Sequence, residues 1–298
     1  MTLLIIMETE EKKSVHKGLK KGLYLIPTAF TAANIAMGFL AVLSSLRGFQ
    51  LIAINPEQAA VYFDYAAKGI AFAILFDTLD GRVARMTKTT TEIGVQLDSL
   101  ADVLTFGIAP IVLAYGWAFG ATFQEDTGLH GLGVFVLFMY LMCGAFRLAR
   151  FNLQATRPRV LMEGTPKVDK KNFVGLPIPA AAGLIAAIVH FAPQPIIQRD
   201  GNFAIFYSIL LMFLIGGLGL LMVSTLRYTS FKSVGAGKRS IHLILIIAAV
   251  GMLAWLYSRY VLLAIGITYV AHGIIWHFLG LLRPSNRRET VIADKIQP

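Results

Sequence analysis

Apolar residues in this chain are laid out in long blocks rather than in alternation. Six stretches carry no Asp, Glu, Lys or Arg: 22–46, 103–124, 172–198, 201–226, 240–258 and 260–282. Each is about 19 residues or longer, close to what an α-helix needs to cross the hydrocarbon of a bilayer. A seventh span, 127–146, is nearly as plain. The eighth, 59–85, is interrupted by Asp64, Lys68, Asp77 and Asp80. Its Ile70, Phe72, Ile74, Leu75 and Phe76 still have no home outside an apolar medium, so a helix is predicted there too. The third span is expected to begin near Ile93, ahead of its uncharged part, which puts Asp98 and Asp102 in its first turns.

The pattern predicts an all-α, polytopic integral membrane protein of about eight transmembrane helices. Residues 22–283 form the membrane domain. Residues 1–21 are a separate N-terminal segment, whose charged part is either an amphipathic surface helix or a loose tail, and 284–298 are a polar tail. Met1 to Met7 is apolar but has no basic residue ahead of it and is followed by Glu8, Glu10 and Glu11, so no secretory signal is expected. Gly216, Gly217 and Gly219 in the sixth helix permit a close helix contact, which a dimer interface would use.

Charge then orients the bundle. With both termini inside, 23 of the 27 lysines and arginines fall in cytoplasmic segments, and only Arg47, Lys68, Arg199 and Arg259 do not. That bias satisfies the positive-inside rule and predicts cytoplasmic termini. The net charge of +10 is thereby explained by loops facing an anionic leaflet, and no nucleic-acid partner is expected. The single cysteine, Cys143, excludes an intrachain disulfide.

Against this background four carboxylates stand out. The sequence Asp77-Thr-Leu-Asp80-Gly81-Arg82-Val-Ala84-Arg85 is followed by Gly94, Asp98 and Asp102. A carboxylate inside a span costs about 2.5–3.5 kcal/mol even on the mildest scale. Residues three or four apart share a helix face, so Asp77 and Asp80 point together from the end of one helix. Asp98 and Asp102 point together from the start of the next. The intervening link is short, and the two acidic faces can converge on a hard cation, Mg²⁺ or Mn²⁺. Gly81 and Gly94 leave room for a ligand beside the backbone, and Arg85 can reach a phosphate. A solvated helix end pairing its acids with Arg82, Arg85 and Lys88 accounts for two such acids but not for four.

The pattern D-x2-D-G-x2-A-R-x8-G-x3-D-x3-D resembles the signature of the CDP-alcohol phosphatidyltransferase family. Asp77, Asp80, Gly81, Ala84, Arg85, Gly94, Asp98 and Asp102 occupy all of its positions. The resemblance implies a helical membrane enzyme, a homodimer, that uses two divalent ions (Mg²⁺ or Mn²⁺) to transfer a phosphatidyl group from CDP-diacylglycerol to an alcohol and release CMP. It implies metal ligands at Asp77, Asp80, Asp98 and Asp102, with Asp102 also the general base. It implies nucleotide contacts at Asp77, Gly81, Ala84, Arg85 and Gly94. The active site then faces the cytoplasm of a bacterial or archaeal-type plasma membrane.

Three further stretches are similar to the branch of that family whose acceptor is L-serine. They are Gly144-Ala-Phe-Arg147-Leu-Ala-Arg150-Phe-Asn152, Phe173-Val-Gly-Leu-Pro177-Ile-Pro179-Ala-Ala-Ala-Gly183, and Leu25-Ile-Pro27 with Asn34 and Gly38. Arg147 and Arg150 share a face, and an arginine can grip the carboxylate of serine at two points. Their alternative role is to anchor lipid phosphates. Asn152 either bonds substrate or caps its helix, and Asn34 either contacts the nucleotide or bonds a neighbouring helix. Other acceptors within the family are glycerol 3-phosphate, inositol phosphate and choline. A divalent-cation transporter is the rival from another class, since acids within spans also mark ion paths. Its acids belong near the midplane and in related halves, whereas these four lie at one membrane face.

Overall fold

The computed structural model describes residues 29–87, 92–123, 125, 127–156, 172–229, 251–253 and 256–282. Seven helices long and apolar enough to cross a membrane are present among them. We number them α1 (Ala29–Leu51), α2 (Pro56–Thr87), α3 (Ile93–Thr122), α4 (Gly128–Thr156), α5 (Ile178–Phe191), α6 (Gly201–Val223) and α7 (Ser258–Leu282). The eighth expected span, 240–258, falls largely outside the described residues. The 1–21 segment and the 284–298 tail also fall outside them.

Helix boundaries differ from the uncharged runs where polar side chains find protein partners. Helix α1 continues past Arg47 to Leu51, and the Arg47 guanidinium donates to Gln50 one turn on. Helix α4 runs to Thr156 rather than ending at Phe146, so Arg147, Arg150 and Asn152 are all helical.

The expected 172–198 helix is shorter. Asn172–Val174 forms a strand, β1, antiparallel to β2 (Arg227–Thr229). Between β1 and α5, Gly175 has φ +82°, and a Cβ there would collide with the carbonyl oxygen of Met222. Only glycine meets both demands at low cost. Pro177 then stands at the N-cap of α5 and Pro179 in its first turn, where the missing N–H is tolerated.

Helix α3 is continuous but includes two π-helical stretches, Val103–Ile108 and Tyr115–Phe119. Widened turns of this kind shift a helix's side chains around its axis and are enriched at functional sites. Buried hydroxyls satisfy backbone carbonyls in them. Tyr140 donates to Phe106 (3.1 Å) and Ser208 to Ala118 (3.1 Å).

The core is apolar and tightly assembled. Phe63, Ile70, Phe106, Leu113, Phe119, Tyr140, Ile178, Ile185, Ile215 and Leu218 are fully buried. Helix α5 is the most enclosed span, lying against α2, α3 and α7, and α4 packs along α6. Small residues permit the close approaches that hold helices together in lipid. A Cβ on Gly219 would sit 3.4 Å from Tyr140 Cα, and one on Gly144 would come 2.5 Å from Ile178. Gly219 therefore serves contact within the chain. Phe39, Phe72, Phe138 and Phe213 point outward, as suits a lipid-facing surface.

A polar relay crosses the bundle near the start of α2. Lys68 pairs with Asp64 (2.7 Å), Asp64 meets His190 Nδ1 of α5 (2.5 Å), and His190 Nε2 meets Ser258 of α7 (2.9 Å). His190 is thus an interior hydrogen-bonded residue. Asp64 and Asp77 are about 20 Å apart along α2, at 1.5 Å per residue. The relay and the signature aspartates therefore occupy opposite ends of that helix.

Candidate active site

The last turns of α2 and the first turns of α3 carry the signature. Asp77, Asp98 and Asp102 each present one carboxylate oxygen, and the three oxygens lie within 4.8 Å of one another. All three residues are half-buried. Among the described residues none of them forms an ion pair; the ion pairs present involve Asp64. Three acids this close repel one another strongly in a medium of low dielectric constant, and a cation is the natural counterpart. The Oδ1 oxygen of Asp102 is buried with no hydrogen-bond partner. A buried acceptor left unpaired is costly. The donor set is all carboxylate oxygen, the chemistry of a hard divalent ion. The residues present therefore fit a metal site.

Asp80 stands outside this trio. It is only 6% exposed, and one of its oxygens accepts a hydrogen bond from the hydroxyl of Thr31 on α1. It remains within electrostatic reach of Asp77 and Asp98. Gly81 and Gly94 are exposed on α2 and α3. Ala84 and Arg85 belong to the last turn of α2, and their side chains fall outside the described set.

Asn34 lies three residues beyond Thr31, hence on the same face of α1. It is 1% exposed, and neither polar atom of its amide has a partner. Its backbone carbonyl accepts from Thr105, three residues beyond Asp102 (3.4 Å). Of the two roles weighed for Asn34, a side-chain bond to a neighbouring helix is not made among the described residues.

Arg147 enters from α4. Its Nη2 donates to the carbonyl of Gly175 (3.3 Å), its Nε is buried and unpartnered, and it lies within electrostatic reach of Asp102 and of Tyr269 on α7. Arg150 is exposed. Arg147 is thus the more enclosed of the two, and Arg150 remains within electrostatic reach of it. Asn152 does not cap α4, which continues beyond it. Its Nδ2 donates to Ser99 on α3 (2.8 Å), next to Asp98.

Thr31, Ser99, Thr105 and Gly175 were not singled out from the sequence. Thr31 had a usable signal, being a hydroxyl three residues before Asn34 in the otherwise apolar first half of α1. Ser99 and Thr105 had only their proximity to Asp98 and Asp102.

A model of the CDP-alcohol phosphatidyltransferase family matches residues 24–223, so the chain belongs to that family. It is a membrane-embedded transferase of phospholipid synthesis. Its relatives narrow the class. It is 33% identical over 261 residues to the CDP-diacylglycerol–serine O-phosphatidyltransferase of Helicobacter pylori, covering 86% of this chain and 93% of that protein. It is 30% identical over 207 residues to the Bacillus subtilis protein of the same name, covering 70% and 91%. It is also 32% identical over 214 residues to the archaetidylserine synthase of Methanothermobacter thermautotrophicus, covering 71% and 72%.

Proposed function

We propose that this chain is a phosphatidylserine synthase, transferring the phosphatidyl group of CDP-diacylglycerol to the hydroxyl of L-serine and releasing CMP. The observation that carries it is the convergence of Asp77, Asp98 and Asp102 with an unpaired, buried oxygen on Asp102, in a chain whose relatives bear that name.

Each polar group has a role in this reading. Asp102 takes the proton of the serine hydroxyl as general base, which requires an approach of about 2.6–3.2 Å. The serine oxygen bonds to the phosphorus that carries diacylglycerol, and the bond from that phosphorus to the CMP oxygen breaks. CMP leaves with the electron pair. Asp77, Asp80, Asp98 and Asp102 would hold two divalent ions, Mg²⁺ or Mn²⁺, which supply positive charge against the phosphates. Asn34, Gly81, Ala84, Arg85 and Gly94 receive the nucleotide. The Asn34 amide, with donor and acceptor both unused, suits a group offering both.

Arg147 receives the serine carboxylate. Its burial favours it over Arg150, because a charge pair is stronger away from water and one guanidinium nitrogen is already unpaired. Asn152 acts as a support for α3 through Ser99. The distribution of basic residues supports a site facing the cytoplasm. A homodimer completes the reading, on the strength of the family resemblance.

The test is CMP release from CDP-diacylglycerol by the purified protein with Mn²⁺ or Mg²⁺, supplied in turn with L-serine, glycerol 3-phosphate, inositol 1-phosphate and choline. Release with serine alone supports the proposal. Release with another alcohol replaces the acceptor, and none at all with folded protein removes the activity.

A further inference from the structure

We propose that Thr31 is a positioning residue for Asp80, holding that carboxylate so that it completes the cation site formed by Asp77, Asp98 and Asp102. The inference rests on the reading of the four aspartates as metal ligands. It adds a residue from α1, outside the aspartate signature.

The geometry divides the four acids into two kinds. Three converge on one another, while the fourth is tied to another helix through its Oδ2. The tie spans 49 residues of sequence, and both partners are buried, Thr31 at 5% exposure and Asp80 at 6%. A hydroxyl has one proton to give. Given to Oδ2, it fixes the carboxylate's rotation and leaves Oδ1 as the oxygen available to a cation. Hydrogen bonds to an ionised carboxylate are the stronger kind, and in this apolar setting water competes poorly for it.

Helix α1 is keyed to the site at a second point, which keeps Thr31 at the right height. Thr105, three residues after Asp102, bonds the carbonyl of Asn34. Four residues further along α1, Gly38 packs on Thr105 so closely that a Cβ would lie 2.9 Å from the Thr105 Cβ. Helix α1 therefore touches α2 through Thr31 and α3 through Asn34 and Gly38, bridging the two halves of the aspartate signature. Groups that orient ligating carboxylates typically change metal affinity by about 10–100-fold when removed.

The experiment compares Thr31→Val, which keeps the shape and deletes the donor, with Thr31→Ser, which keeps the donor. Thr31→Ala provides a smaller donor-free variant if valine prevents folding. Mn²⁺ binding to the detergent-solubilised protein is read from the electron paramagnetic resonance of free Mn²⁺, alongside CMP release as a function of Mn²⁺ concentration. The expected result is a loss of Mn²⁺ affinity of about tenfold or more in Thr31→Val or Thr31→Ala, with a matching rise in the Mn²⁺ needed for half-maximal activity. Thr31→Ser stays within about threefold of the native protein on the same reasoning. Native affinity in the donor-free variants overturns the proposal, as does a serine variant as impaired as valine. Asp98→Asn separates the two levels. If it loses Mn²⁺ while Thr31→Val does not, only the role of Thr31 fails. If Asp98→Asn binds Mn²⁺ like the native protein, the reading of the aspartates fails instead.

Discussion

Arg147 on α4 is bonded through Nη2 to the carbonyl of Gly175 at 3.3 Å, while its buried Nε has no partner. The first contact sets the guanidinium's position and the second leaves a donor to be used. That combination suits the proposed role of Arg147 in receiving the serine carboxylate. Arg147→Lys is expected to raise the KM for serine about 10–100-fold, since an ammonium cannot reproduce the planar fork. The KM for CDP-diacylglycerol should change far less. Steady-state kinetics against each substrate separately checks the split, and equal effects on both would point to a general disturbance of the bundle.

Asp102→Asn preserves shape and removes the base. Transfer is expected to fall by about 10²–10⁴-fold, with CDP-diacylglycerol still bound. Single-turnover CMP release and direct nucleotide binding check the two halves of that statement. Activity equal to the native protein would remove Asp102 as the base.

Chelation of divalent metals should abolish CMP release reversibly. Readdition of Mg²⁺ or Mn²⁺ should restore it, because three adjacent carboxylates without a cation leave the substrate phosphates facing like charge. Release that survives exhaustive chelation would require another source of positive charge in the site.

Gly175→Ala tests the turn that presents the Arg147 acceptor. The residue combines φ +82° with close approach to Met222, so strain and collision act together. A loss of about 1–3 kcal/mol is expected, visible as a lower thermal midpoint in detergent. Serine KM should rise with it, because the carbonyl that holds Arg147 moves.

His190→Ala tests the relay at the other end of α2. It leaves Asp64 and Ser258 without their shared partner. Stability should fall by about 1–3 kcal/mol, because Asp64 keeps only Lys68 and Ser258 loses its bond to the imidazole. Catalytic constants below the melting range should remain near native, since the relay is about 20 Å from the aspartates along α2. A large fall in kcat without destabilisation would give the relay a role in the reaction.

Much of this protein is legible along the chain because the bilayer imposes a local rule. A span must be long, apolar and helical, and seven such helices occur among the described residues. The aspartates are equally legible, since acids in an apolar helix need a compensating partner and their spacing places them in pairs on helix faces. The prolines that open α5 follow the same logic, a backbone constraint written in residue type. What local rules did not reveal is which pairs meet. Asp80 is joined to a residue 49 positions away, Asn152 to one 53 away and His190 to one 126 away. The greater enclosure of Arg147 than of Arg150 depends on where α4 lies against the α5 entrance and α7. Periodicity states which side chains share a face, but not what that face opposes. The sequence by itself determined the helices, the membrane and the acidic chemistry, because each follows from a residue and its near neighbours. Only the tertiary structure decided how the four acids divide, which arginine is the more enclosed and that α1 touches both α2 and α3 beside the aspartates, because those depend on close packing between helices distant in sequence.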